Sequence, residues 1–152
     1  MVDIIHRIGI KAQASKVFAA VSTPEGIAGW WTRDTTGSAG AGGKITTRFQ
    51  DTAGKEVAHM EFQLTKLDPD KEVRWRFLVG PAEWIGTDIT FELARSGDQT
   101  IVLFGHRNWK EAVEFTSHCS MKWATFLLSL RELLEKGQGR PAPGDLKIDD
   151  WN

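Results

Sequence analysis

The chain has 152 residues, of which 41% are hydrophobic and 26% are charged. This composition is typical of one globular domain and excludes a disordered or fibrous chain. The 19 basic and 20 acidic residues give a net charge of -1 without a basic stripe, so nucleic acid is not an expected partner. The single cysteine, Cys119, excludes an internal disulfide and a cysteine-based metal cluster.

The N-terminal stretch alternates apolar and polar residues. Ile4, His6, Ile8 and Ile10 fall on one face, which predicts a first strand with one side buried. The stretch lacks the continuous apolar run and the cleavage site of a signal peptide, and no later stretch is long enough to span a bilayer. We therefore expect no membrane insertion and a cytoplasmic location, where a lone thiol stays reduced.

Two short helices are expected after the first strand. Ser15 is a candidate N-cap of the first helix, and Thr23 followed by Pro24 is typical of the N-cap and first residue of the second. The second helix is expected to end at the pair Trp30–Trp31. The stretch from Thr36 to Gly43 is too rich in glycine for a helix and predicts a mobile loop.

Five alternating stretches then predict an antiparallel meander with short turns. These strands are expected at residues 45–49, 58–64, 73–79, 85–93 and 101–106. Trp84 is expected to enter the fourth of them, just after the loop at Gly80-Pro81. The segment from Trp109 to Phe115 is expected to form a helical turn.

From about Thr116 the apolar period changes from two residues to about 3.6, which predicts one long amphipathic helix. Its apolar stripe contains Cys119, Trp123, Phe126, Leu127, Leu130 and Leu134. The helix is expected to end at Gly137, since Pro141 and Pro143 prevent its continuation. We therefore expect one domain over residues 1–137 and an extended C-terminal tail over residues 138–152, rich in Pro, Gly and Asp.

The predicted order is one strand, two helices, five or six strands and one long helix. A twisted antiparallel sheet needs a cover for its apolar face, and the long helix is suited to supply it. The fold class is therefore α+β, with an antiparallel sheet packed against a C-terminal helix.

Three stretches resemble the START-like (SRPBCC) superfamily, and within it the bacterial members of the branch named after the activator of heat-shock protein 90 ATPase. They are IGIKAQASKVFAAVSTPEGIAGWW, the glycine loop leading into Lys44-Ile45, and HCSMKWATFLLSLRELLEKGQGRPAPGD. The resemblance implies a helix-grip (Bet v 1-like) fold, in which a curved antiparallel sheet wraps around the long C-terminal helix and encloses a cavity of variable lining. Members of the superfamily include lipid and hormone binders, polyketide cyclases and dehydratases, and co-chaperones.

The glycine loop does not fit a nucleotide-binding motif. Gly43-Lys44 is followed by Ile45 and a predicted strand, whereas a phosphate-binding loop needs Ser or Thr and a helix at that point. The four histidines, His6, His59, His106 and His118, lie on separate predicted elements. We therefore expect no cofactor and no metal.

Three groups could carry chemistry. Cys119 could act as a nucleophile with a nearby histidine, although a lone cysteine on an apolar stripe is more often a small buried hydrophobic residue. His6 and His106 are weak candidates for a general acid or base, since each is expected to face the apolar interior. Glu83 and Asp88 are the carboxylates nearest the expected opening of the cavity.

The aromatic residues support a binding hypothesis, because large flat rings either fill a core or form the walls of a slot for a ligand. The predicted ligand-binding residues are Trp30, Trp31, Met60, Phe62, Trp75, Phe77, Trp84, Phe91, Phe104, His106, Cys119, Trp123 and Phe126.

Three functions are consistent with these features. The first is noncatalytic binding of a small hydrophobic molecule, such as a lipid, an aromatic compound or a polyketide-like compound. The second is an enzyme of the cyclase, dehydratase or hydrolase type that uses a cavity histidine. The third is an interaction module that forms a homodimer or, as the resemblance implies, contacts a chaperone.

Overall fold

A seven-stranded antiparallel sheet and one long helix form the framework of the computed structural model, which describes residues 1–152. The elements in chain order are β1 (Val2–Ile10), α1 (Ala14–Ser22), α2 (Pro24–Ala28), β2 (Asp34–Gly37), β3 (Lys44–Gln50), β4 (Glu56–Asp68), β5 (Glu72–Val79), β6 (Asp88–Ser96), β7 (Gln99–Trp109) and α3 (Glu114–Lys136). The strand order in the sheet is β1-β7-β6-β5-β4-β3-β2, and every neighbouring pair is antiparallel. The predicted α+β helix-grip fold is confirmed.

One face of the sheet is apolar because alternate residues of each strand point to the same side. On β4 and β5 these inward residues are Met60, Phe62, Leu64, Val73, Trp75 and Phe77, all of which are buried. The predicted apolar stripe of α3 supplies the opposing surface, with Cys119, Trp123, Phe126, Leu127 and Leu130 buried. Helix α3 ends as predicted, since Gly137 adopts a left-handed conformation with φ of 85° directly after Lys136.

Two indole groups fix helix α1 against the sheet. The last carbonyl groups of a helix lack partners within it. Here Nε1 of Trp30 donates to the carbonyl of Ala20 at 2.8 Å, and Nε1 of Trp75 donates to the carbonyl of Val21 at 2.8 Å. Two core tryptophans therefore supply hydrogen-bond donors to carbonyl groups of the C-terminal turn of α1.

The helix ends differ in part from the predictions. Thr23 is the N-cap of α2 as predicted, since its Oγ1 accepts from the Gly26 N–H at 3.0 Å. Ser15 is not a cap, because α1 already begins at Ala14 after Gln13. Helix α2 ends at Ala28, before the predicted Trp pair.

Three strand predictions are also corrected. Thr36 and Gly37, predicted as part of a mobile loop, belong to β2 because their backbones pair with β3. Strand β6 begins at Asp88 rather than at residue 85, because residues 81–86 form a turn that contains Trp84. Trp109 was predicted to begin a helical turn, but it is the last residue of β7 and pairs with Val2 of β1. Helix α3 begins only at Glu114.

Residues 138–152, here called the C-terminal segment, contain no helix and no strand of the sheet. Ala142 is buried and forms an isolated bridge with Thr32, and the Ala142 N–H donates to the carbonyl of Trp31 at 2.8 Å. Further along, Asp145 and Asp149 contact α3. The segment therefore packs beside the Trp30–Trp31 turn and along the first half of α3. None of the three helices is both long and apolar enough to cross a membrane.

Candidate functional site

The centre of the molecule is a packed cluster of aromatic rings. The rings of Phe62 and Trp75 stack with their centroids 4.2 Å apart, and Trp75 also contacts Phe91 at 5.1 Å. The predicted ligand-binding residues that lie in this cluster and do not line the pocket described below are Trp30, Phe62, Trp75, Phe77, Phe91, Phe104 and His106. These residues are buried and packed against one another, as in the interior of a protein core.

A pocket of about 500 Å³ lies beside this cluster. It is bounded by the β3–β4 hairpin, the first half of α3, the turn before β6 and the C-terminal segment. The predicted residues that line it are Trp31, Met60, Trp84, Cys119, Trp123 and Phe126. Val57 and Trp151 also line it and are 63% and 50% exposed, so the pocket opens to solvent. Its volume falls within the range of roughly 300–1,000 Å³ that is usual for small-molecule sites.

Three indole rings of the pocket lie nearly parallel. The ring of Trp31 is 5.2 Å from that of Trp123 with an interplanar angle of 26°, and 6.5 Å from that of Trp84 with an angle of 13°. Trp84 and Trp123 are 5.9 Å apart at 21°. The pocket therefore has walls made of flat surfaces that share one orientation.

Several lining residues were not predicted from the sequence. They are Phe49, Gln50, Asp51, Thr52, Val57, Ala58, Pro81, Phe115, His118, Lys122, Ala142, Asp145, Lys147, Trp151 and Asn152. Those of the C-terminal segment were missed because that segment was expected only as an extended tail, with no specific contacts to the pocket. A charge pattern could have indicated the contact: His118 and Lys122 are four residues apart, as are Asp145 and Asp149.

Ion pairs between these residues hold the C-terminal segment against α3. Nζ of Lys122 donates to Asp145 at 2.5 Å and to the carbonyl of Leu146 at 2.9 Å, and Nδ1 of His118 is 2.7 Å from Asp149. Lys147 donates to the other carboxylate oxygen of Asp145 at 2.8 Å. Burial acts to raise the pKa of Asp145, but the hydrogen bonds from Lys122 and Lys147 outweigh it and the pKa is lowered. Asp145 is therefore a charged anchor of the segment.

His106 lies in a continuous chain of hydrogen bonds in the core. Its Nδ1 accepts from Nε1 of Trp123 at 3.1 Å, so the proton of the neutral ring is on Nε2. Nε2 is 2.8 Å from Oγ1 of Thr87, whose hydroxyl in turn donates to the carbonyl of Trp84. Burial lowers the pKa of His106 to about 3. Because the ring is uncharged and both nitrogens are occupied, we interpret His106 as a structural group that joins α3, β7 and the turn before β6.

The other candidate reactive groups lie in different surroundings. Nε2 of His6 is 3.1 Å from the carbonyl of Ser120, outside the pocket. Asp88 accepts two hydrogen bonds from Arg76, at 2.8 and 3.0 Å, and Glu83 is exposed. Burial raises the pKa of the Cys119 thiol to about 12, so the thiolate needed for nucleophilic attack is scarce at neutral pH. No group of three or more His, Cys, Asp or Glu side chains is arranged to hold a metal ion.

Comparison with known proteins gives one family match. The model of the family described as Activator of Hsp90 ATPase homolog 1-like protein matches residues 11–135. No curated protein sequence matches the chain.

Three solved structures illustrate the similarity. The Aha1 dimer of Colwellia psychrerythraea, solved in solution, is 44% identical, with a TM-score of 0.77 over 91% of this chain and 100% of that chain. The protein SSP2350 of Staphylococcus saprophyticus is 21% identical, with a TM-score of 0.73 over 93% of this chain and 98% of that chain. CalU16 of Micromonospora echinospora is 18% identical, with a TM-score of 0.70 over 93% and 77%. The last two show similarity of fold alone.

Proposed function

The chain belongs to the family of Activator of Hsp90 ATPase homolog 1-like proteins, and from its pocket we propose that it binds a small hydrophobic molecule without transforming it. The observation that carries this proposal is the pocket of about 500 Å³ lined by Trp31, Trp84 and Trp123. Fold and family alone do not determine the function, because one fold supports many activities.

The composition of the pocket supports binding of an apolar guest. Its walls combine indole and phenyl rings with Met60 and Ala58, while its charged groups belong to α3, to the C-terminal segment and, at Asp51, to the β3–β4 turn. Burial of apolar surface is favourable by roughly 25 cal/mol per Å², so a guest held against these walls gains affinity mainly by leaving water. The rings are already packed against one another in the absence of a guest, so little ordering accompanies binding.

Cys119 and His106, two of the groups that the sequence suggested for chemistry, are not poised to react with a guest, which favours binding over catalysis. Cys119 lines the pocket but its raised pKa keeps the thiol protonated, and His106 lies outside the pocket with both ring nitrogens bonded. A general acid or base must reach the substrate within hydrogen-bond distance. Neither group combines access to a guest with a suitable protonation state.

Filling the pocket tests this proposal. In the variant Ala58→Trp, the new indole occupies part of the space between β4 and α3, so we expect at least tenfold weaker binding of a neutral apolar probe, or about 1.4 kcal/mol or more. The measurement is a titration with N-phenyl-1-naphthylamine, whose fluorescence rises in an apolar environment.

The control variant is Ala94→Trp, which adds the same indole at an exposed position of β6 outside the pocket. We expect it to bind the probe as the wild-type chain does. Circular dichroism and thermal unfolding establish that both variants are folded. If Ala58→Trp folds and keeps the wild-type affinity, or if the wild-type chain shows no saturable binding, this pocket is not the binding site.

We also propose that the chain forms a homodimer, which is independent of the pocket. The support is the Colwellia psychrerythraea relative, which is 44% identical over its whole length and was solved as a dimer. Size-exclusion chromatography with light scattering measures the assembly directly. A mass of about 34 kDa, twice the 17.0 kDa of the chain, is expected; a mass of one chain at high micromolar concentration would contradict the proposal.

A further inference from the structure

We infer that strand β1 is the interface of the homodimer, and that it pairs antiparallel with β1 of a second copy about a two-fold axis at Ile5. This inference rests on the proposed homodimer and identifies the surface that forms it. Three features of β1 carry it: a free edge, an exposed apolar residue at its centre, and a charge pattern that is complementary to itself.

The free edge is the outer side of β1. This strand is the first in the sheet order and pairs only with β7, so the backbone N–H and C=O groups on its other side have no strand to bind. It has nine residues and no proline, and the irregularity between Val2 and Ile4 places the extra residue in β7, so β1 itself stays regular. A long, unprotected edge of this kind is a template for pairing with another chain.

The opposite edge of the sheet is less suited to such pairing. Strand β2 (Asp34–Gly37) has only four residues and leads into the glycine-rich loop. Natural sheets commonly limit pairing at an edge by keeping the edge strand short. Strand β1 is therefore the edge of this sheet that offers a full strand to a second copy.

The exposed apolar residue is Ile5, which is 67% exposed in the middle of β1. Its side chain lies on the face of the sheet away from α3, because its neighbours Ile4 and His6 point toward the core and α3. Leu103 of β7, 44% exposed, lies on the same outer face. In an antiparallel pair centred on Ile5, the two Ile5 side chains face each other with Cβ atoms roughly 4.5–5.5 Å apart, so each shields the other from water.

The charges on either side of Ile5 are opposite in sign. Asp3 precedes Ile5 by two residues and Arg7 follows it by two, and all three side chains lie on the same face. In the pair centred on Ile5, Asp3 of each copy faces Arg7 of the other, so the axis generates two ion pairs. Registers centred on Asp3 or on Arg7 would instead place like charges directly opposite, which is destabilising.

Both charged groups are available to the second copy. Arg7 is exposed and forms no salt bridge within the chain. Asp3 is held in place by Nη1 of Arg107, which donates at 3.2 Å, and by the N–H of Asn108, which donates at 2.9 Å. A carboxylate has about four acceptor sites, so these two bonds leave room for the guanidinium of Arg7 of the other copy.

Helix α3 adds exposed apolar surface beside the same edge. The carbonyl of Ser120 lies 3.1 Å from Nε2 of His6, and the Glu135 carboxylate accepts from the N–H of Lys11 at 2.7 Å. Leu128 is about two turns from both helix residues, so it lies on the same side of α3, and it is 43% exposed. The surface beside the β1 edge is thus partly apolar on both faces of the sheet, as expected where two copies meet.

Cysteine cross-linking tests the position of the two-fold axis. In Ile5→Cys the two new thiols of a dimer face each other, so a short reagent such as bis(maleimido)ethane is expected to convert most of the chain to a covalent dimer. Cys119 is buried and its pKa is raised to about 12, so the wild-type chain is not expected to react. The control is Ala94→Cys at an exposed position of β6, which is expected to run as a single chain of 17.0 kDa on a denaturing gel.

Charge reversal tests the ion pairs. Arg7→Asp and Asp3→Arg each place like charges opposite one another, so each variant alone is expected to dimerise at least tenfold more weakly and to shift toward 17.0 kDa by light scattering. Mixed in equal amounts, the two variants regain both ion pairs in a heterodimer, and a mass of about 34 kDa, twice that of the chain, is expected to return. Arg48→Asp on β3 is the control and is expected to stay dimeric.

The outcomes separate the interface from the homodimer itself. If the wild-type chain is a dimer but Ile5→Cys gives no more covalent dimer than Ala94→Cys, or if folded Arg7→Asp dimerises as the wild-type chain does, the copies meet elsewhere and this inference is wrong. A wild-type mass of one chain would instead remove the proposed homodimer, and the inference with it. Circular dichroism establishes that each variant is folded. Because Ile5→Cys keeps both charges, it tests the axis even if Asp3→Arg does not fold.

Discussion

Lowering the pH from 7 to 4 is expected to reduce the free energy of unfolding by about 3 kcal/mol through His106 alone. The histidine is fully buried, and burial lowers its pKa from 6.5 to about 3. The unfolded chain therefore binds a proton at His106 below pH 6.5, whereas the folded chain does not bind it until the pH approaches 3. Stability is fully present above pH 6.5 and is lost at up to roughly 1.4 kcal/mol per pH unit as the pH falls toward 3.

The variant His106→Gln separates this contribution from that of the carboxylates. Carboxyl groups with a lowered pKa, such as Asp145 and Glu72, weaken the fold at acid pH in the variant and the wild-type chain alike. At pH 7 the variant is expected to be about 1–3 kcal/mol less stable, because the hydrogen-bond chain from Trp123 to Thr87 is disturbed. The two stability curves, measured by urea unfolding between pH 4 and 7.5, are expected to converge as the pH falls.

The control for this experiment is Thr87→Val. It removes the hydroxyl partner of Nε2 but leaves the imidazole buried. Because burial is the cause of the lowered pKa, this variant is expected to be less stable at every pH with the same pH dependence as the wild-type chain. If His106→Gln and the wild-type chain lose stability in parallel between pH 6.5 and 4, the account of His106 as a neutral buried group is wrong.

Replacing Trp31 by alanine is expected to lower the free energy of unfolding by about 3–5 kcal/mol, the range observed for large-to-small changes of buried aromatic residues. Trp31 is 2% exposed and joins the filled core to the pocket. Its ring contacts Trp75 and Phe62 on the core side and Trp84 and Trp123 on the pocket side. Its loss removes dispersion contacts in both directions and leaves a space continuous with the pocket.

The comparison for Trp31→Ala is Trp151→Ala, because Trp151 also lines the pocket but is 50% exposed. Its replacement is expected to change stability by about 1 kcal/mol or less, since much of its surface already faces solvent. Urea unfolding followed by circular dichroism measures both. Equal losses for the two variants would show that the packing around Trp31 does not carry the stability assigned to it.

The sequence predicted the framework of the fold because its patterns are local. The alternation in β3, β4 and β5 and the apolar stripe of α3 specify which side of each element is buried, and those assignments agree with the structure. Strand β2 was missed because it has only four residues, two of which fall in the glycine-rich stretch, and it is defined by pairing with β3. Local residues give no signal for such a partner-dependent edge strand.

The candidate site was harder to predict from the sequence, because its position depends on which aromatic rings fill the core and which line the pocket. Phe62 on β4 and Phe77 on β5 have the same inward pattern as Met60 and Ala58 on β4, yet the two phenylalanines lie in the packed cluster whereas Met60 and Ala58 line the pocket. Three-dimensional packing makes that distinction, and alternation does not. Trp151 lines the pocket only because the C-terminal segment folds back onto α3, and this contact between residues distant in the sequence has no local signal.

The most direct test uses the indole N–H signals of the seven tryptophans in a two-dimensional ¹H–¹⁵N spectrum. Trp31, Trp84, Trp123 and Trp151 line the pocket, whereas Trp30, Trp75 and Trp109 do not. Titration with N-phenyl-1-naphthylamine is expected to shift the signals of the four pocket residues and to leave the other three nearly unchanged. Shifts spread equally over all seven, or confined to the three outside the pocket, would contradict a binding site between β4, α3 and the C-terminal segment.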